Sequence, residues 1–61
     1  MLPSEVKDAR RRLDLSVNEF ARAVGVTGRT VRRWEAGSLP VPDRVVDQVA
    51  AELAALLFVG A

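Results

Sequence analysis

The sequence predicts an all-α fold: one compact bundle of four, at most five, helices. Three observations carry this. Apolar residues recur at helical spacings of three and four. Residues suited to capping a helix start stand just before those stripes, and glycines follow two of them. The 61 residues include no cysteine, so no disulfide framework shapes the chain. A chain of this length is a single domain, residues 1–61, and hides only about 60% of its unfolded surface.

Taken in order, Ser4 reads as the cap of a first helix over about residues 4–13, with Val6, Ala9 and Leu13 on one face. Asp14 ends it. Ser16-Val17-Asn18-Glu19 has the form of a capping box: the Ser hydroxyl accepts from one free N–H, and the Glu carboxylate accepts from another. It opens a second helix over about residues 17–24, whose buried stripe is Val17, Phe20, Ala21 and Val24. Gly25 suits the left-handed position beyond its end. Val26 and a new cap, Thr27, follow at once, so the two helices cross steeply. A third helix over about residues 28–36 stops at Gly37. Ser38 to Pro42 is a stiff connector, and Pro42 suits a helix start.

The fourth helix covers about residues 43–58, with Val45, Val46, Val49, Ala50, Leu53, Leu56 and Leu57 as its core stripe. Its back is polar at first (Arg44, Asp47, Gln48, Glu52) and then apolar (Ala51, Ala54, Ala55, Phe58). A helix end that is apolar all round needs a second burial surface. In a domain this small, another copy of the chain is expected to supply it.

Composition narrows the function. The chain has no histidine, so the commonest general base and metal ligand is missing. Ser4, Ser16 and Ser38 have no candidate base. The reading is therefore a non-enzyme with no metal and no cofactor. The longest apolar run, Leu53 to Ala61, falls short of the roughly 20 residues that span a bilayer. Met1 to Glu5 lacks the pattern of a signal peptide, so a cytoplasmic protein is expected. Net charge is +1, but its distribution is uneven. Between Lys7 and Arg33, eight basic residues face three acidic ones, a balance of +5; elsewhere Arg44 faces five acids, a balance of −4. Such polarity suits an anionic polymer, or else a solvated helix surface.

The third helix concentrates this charge. At about 100° per residue, Thr30, Val31, Trp34 and Glu35 share one side, while Gly28, Arg29, Arg32, Arg33 and Ala36 share the other. Like charges on one face are unfavourable in isolation and suitable opposite phosphates. Trp34 falls on the apolar side and is expected in the core, although a Trp can also stack on a base.

The run from Leu15 to Gly37, LSVNEFARAVGVTGRTVRRWEAG, resembles the phage-repressor, or Cro/Xre-type, helix-turn-helix family. The resemblance extends over about residues 4–57 and rests on both capped helices, the tight Gly turn and the Trp-Glu-x-Gly ending. It implies a lambda-repressor-like helix-turn-helix domain with the third helix as recognition helix, entering the major groove N-terminus first. Gly28, Arg29, Arg32 and Arg33 then take the base-reading positions. Arg29 and Arg33 are the preferred readers of guanine, worth about 1–3 kcal/mol per good pair. Arg32 reads a base or holds a phosphate. The phosphate contacts implied are Ser16, Val17, Asn18 and Thr27 at helix starts. Arg10, Arg11, Arg12 and Arg44 join them as side chains. The family also pairs an arginine late in the first helix with the Glu after the aromatic position. Here these are Arg10 and Glu35, a pair that would fasten the first helix to the third.

The departures from the family pattern weaken the clamp. Val17 replaces a phosphate-binding Gln, Gly28 replaces a side-chain reader, and Asp43 stands where basic residues are usual. A full fifth helix, frequent in relatives, is not expected within these 61 residues. A dimer interface through Ala51, Ala55, Leu56, Leu57, Phe58 and Val59 is expected in its stead. The resemblance implies a homodimeric transcriptional repressor on double-stranded DNA, with an inverted-repeat operator and guanine-containing half-sites. Phage regulators, antitoxins and anti-CRISPR-associated autorepressors all belong to the family. The alternative is an antitoxin-like protein-binding module on the same scaffold, with DNA binding secondary.

Overall fold

The computed structural model describes the backbone of residues 1–59 and the side chains of residues 1–56. Four helices follow one another: α1 (Pro3–Arg12), α2 (Val17–Val24), α3 (Gly28–Ala36) and α4 (Asp43–Val59). No strand occurs among the described residues.

Local chemistry sets most helix ends. α1 differs from the sequence reading: its cap position is Leu2, in extended backbone, and Pro3 is its first helical residue. Ser4 therefore lies inside the helix and does not cap it. The proline ring pre-sets the helical φ and lacks only an N–H that would go unpaired there. The Glu5 carboxylate accepts from the Leu2 N–H at 2.6 Å, so the start is closed from inside. At the other end Asp14 adopts φ 58°, and the Leu15 N–H returns to the Arg10 carbonyl at 3.1 Å. The same closure recurs after α2 and α3 with glycine, at Gly25 (φ 76°) and Gly37 (φ 80°). Asp14 thus does with an L side chain what glycine does elsewhere, and left-handed backbone costs an L residue about 1–2 kcal/mol.

α1, α2 and α3 enclose the core, and α4 covers its open side. Val6 and Ala9 of α1, Phe20, Ala21 and Val24 of α2, Val31 and Trp34 of α3, and Val45 and Val49 of α4 are all buried. Trp34 is the largest side chain among them, at 1% exposure. Its indole N–H has no hydrogen-bond partner among the described residues, and apolar packing holds it in place. No polar or charged residue is buried among the described residues.

Burial fades along α4. Val45 and Val49 are in the core and Leu53 is partly buried, but Val46 is only half-buried. Ala50 and Leu56 are exposed, so they leave the core stripe that the sequence suggested. The helix is roughly 25 Å long, and the body it packs against ends before it does. Ala51, Ala54 and Ala55 are exposed as well. The side chains of Leu57, Phe58 and Val59 lie outside the described residues.

Candidate nucleic-acid interface

α2 and α3 are joined by Gly25-Val26-Thr27, and each helix starts with a formed cap. Ser16 Oγ accepts from the Glu19 N–H at 3.1 Å, and the Glu19 carboxylate accepts from the Ser16 N–H at 2.9 Å. That carboxyl is held below its ordinary pKa by the Ser16 backbone N–H, then by the Ser16 hydroxyl and the Arg22 charge. Thr27 Oγ1 accepts from the Thr30 N–H at 3.3 Å and also bonds the Thr30 hydroxyl. The caps consume the Ser16 and Glu19 N–H groups. The first-turn N–H groups of Val17 and Asn18 in α2, and of Gly28 and Arg29 in α3, have no acceptor within their helices.

α3 presents its cations outward. Val31 and Trp34 bury one face, and Arg29, Arg32 and Arg33 are all exposed on the other. None of the three pairs with a carboxylate among the described residues. Three like charges on one exposed ridge repel each other mildly, and no acidic neighbour neutralises them.

Arg10 is used differently. Its Nε donates to Glu35 Oε2 at 2.9 Å and its Nη2 to Oε1 at 3.3 Å, a two-point pair between side chains 14% and 13% exposed. Its Nη1 donates to the Leu15 carbonyl at 3.0 Å. One guanidinium therefore ties α1, the loop after it and α3 together, and this fixes the angle of the arginine ridge. Arg11 and Arg12 are exposed in the last turn of α1, where positive charge also suits the helix dipole.

Arg44 stands apart from Ser16, Val17 and Asn18. Its Nη1 donates to the Val24 carbonyl at 3.2 Å, and Gln48 Nε2 donates to the Ala23 carbonyl at 3.0 Å. Together they close the C-terminal end of α2 and dock α4 on it. Sequence reasoning missed Gln48, because its partner is 25 residues away and no local pattern marks it. It also missed a contact at the opposite end of α2. A Cβ placed on Gly28 would stand 2.5 Å from Asn18 Oδ1 and 3.7 Å from Val17 Cγ1. The two helix starts lie side by side, and the Asn18 carboxamide leans over the first residue of α3.

Two helices joined by a glycine turn, the second outward-facing and basic, match a family model described as a helix-turn-helix domain over residues 4–57. The chain belongs to the helix-turn-helix domain family. Comparison with curated proteins and with solved structures finds no match. The helix-turn-helix domain is a DNA-binding module whose second helix meets the major groove, so the family indicates a DNA-binding regulator. No helix among the described residues is long and apolar enough to cross a membrane.

Proposed function

We propose that this chain is a sequence-specific transcriptional repressor of the phage-repressor, Cro/Xre type. It acts as a homodimer on an inverted repeat in double-stranded DNA. The observation that carries the proposal is the ridge of Arg29, Arg32 and Arg33 on α3, exposed and unpaired among the described residues while the opposite face of the helix is buried. Arg29 and Arg33 read guanines in each half-site, and Arg32 reads a base or holds a phosphate. The free N–H groups of Val17 and Asn18, with Thr27, Arg11 and Arg12, hold the backbone. Two copies meeting through Ala51, Ala55, Leu56 and the segment after them would set two recognition helices about 34–36 Å apart.

The test is binding to duplex DNA selected from a random pool, repeated across salt concentrations. Six phosphate contacts per dimer give a slope of about −5 in log affinity against log salt. A slope near zero, or a pool that yields no shared site, removes the proposal.

A second reading, a protein-binding module on the same scaffold, draws on one further observation. An apolar groove of about 310 Å³ opens between Leu13, Leu15, Val24, Val49 and Leu56, and Leu56 is 46% exposed. Leu56→Glu separates the readings. It splits a dimer and weakens operator binding if the α4 end is the self-interface. It leaves both intact if the groove serves another protein.

A further inference from the structure

The start of α3 carries a feature that the arginine ridge does not explain. Gly28 is the first residue of the helix, where a side chain would point the same way as Arg29 and Arg32. Its φ is not in the left-handed region, so backbone conformation does not demand it. What occupies the space is Asn18, whose Oδ1 would lie 2.5 Å from a Cβ at residue 28 and whose Cγ would lie 3.7 Å from it. The glycine therefore makes room for a side chain that comes from the neighbouring helix.

Asn18 is exposed, and its carboxamide makes no hydrogen bond among the described residues. It offers two donors and an acceptor, all unspent. It is also placed where the first side chain of a recognition helix begins. The carboxamide has the donor and acceptor spacing that meets adenine N7 and N6 at two points. Arginine beside it meets guanine, so the two chemistries divide the base edges between them.

We propose that Asn18 reads an adenine at the base pair facing the N-terminus of α3, from the space that a side chain at residue 28 would otherwise share. The inference rests on the proposal that this chain binds DNA through α3. It adds an adenine-specific position contributed by α2 to the guanines read by Arg29 and Arg33.

The experiment is selection of bound duplexes from a random pool with the wild-type chain, Asn18→Ala, Gly28→Leu and Arg33→Ala, each checked for an unchanged helical spectrum and melting curve. The wild-type site contains an adenine at one position flanking the guanines. Asn18→Ala loses preference at that position alone, about ten- to hundredfold against the other bases, and keeps the guanines. Gly28→Leu alters the same position, because its side chain displaces the carboxamide and carries no polar group to replace it. Arg33→Ala alters a different one. If Asn18→Ala selects the wild-type site unchanged, the proposal fails while DNA binding stands. If Asn18→Ala weakens all sequences equally, the residue holds a phosphate and the proposal again fails. If the wild-type chain selects no site, the underlying reading falls, and this inference falls with it.

Discussion

Replacing Arg10 with methionine tests the tie between α1 and α3. Arg10 and Glu35 are 14% and 13% exposed, and their two-point contact is supplemented by the bond to the Leu15 carbonyl. An exposed ion pair is worth at most about 1 kcal/mol. Removing one partner of a buried pair costs about 3–5 kcal/mol, because the other charge is stranded. The low exposure of both side chains and the third acceptor place this pair nearer the second case, at about 3 kcal/mol. The whole fold is worth roughly 0.05–0.15 kcal/mol per residue, or about 3–9 kcal/mol for this chain. Arg10→Met should therefore consume a large part of the stability and lower the urea midpoint steeply. Trp34 fluorescence reports it, because the indole leaves a fully buried site on unfolding. The double variant Arg10→Met with Glu35→Leu removes the stranded carboxylate and should recover at least half of the loss. A single-variant loss below about 1 kcal/mol would refute the reasoning, since that is the value of a solvated pair. So would a double variant as unstable as the single one.

Three further outcomes are expected. Asp14→Gly relieves the left-handed backbone and removes a negative charge from the end of α1, so it should stabilise by about 0.5–1 kcal/mol after allowing for the looser unfolded chain; thermal unfolding that is unchanged or earlier would count against the strain argument. The Glu19 carboxyl has a lowered pKa in the folded state, so its contribution is full above the ordinary carboxylate range, about pH 4.3, and is lost as pH falls through the folded value. Glu19→Gln should flatten the stability curve in that acid window, and a curve identical to the wild type would refute the capping role. Arg29→Ala with Arg33→Ala should lower affinity for the selected site at least hundredfold and leave the urea midpoint within about 0.5 kcal/mol of the wild type, both side chains being exposed; electrophoretic mobility shift and urea denaturation read the two effects separately.

Residues whose partners lie within one turn were the readable ones. The Ser16–Glu19 box, the Thr27 cap and the glycine ends at residues 25 and 37 all close over three to five positions, so the chain spells them locally. The buried faces of α2 and α3 were readable for the same reason, since helical period alone decides which side chains share a side. The start of α1 was misplaced because two local signals compete there, a serine cap and a proline at the first turn, and the proline with Glu5 prevails. The core stripe of α4 was drawn too wide. Periodicity shows which face can be buried, not how far along the helix a partner extends.

The order of helices, the caps of the second and third and the arginine face of the third are therefore properties of the sequence by itself, because each depends on neighbours along the chain. Tertiary structure alone decided that Gln48 and Arg44 close the end of α2 and that Asn18 leans over Gly28. It also decided that Arg10 spans to Leu15 as well as to Glu35. Apart from the short reach to Leu15, these contacts join groups whose meeting depends on the crossing angles of packed helices, and those angles are set by the shapes of Phe20, Val31 and Trp34 in the shared core.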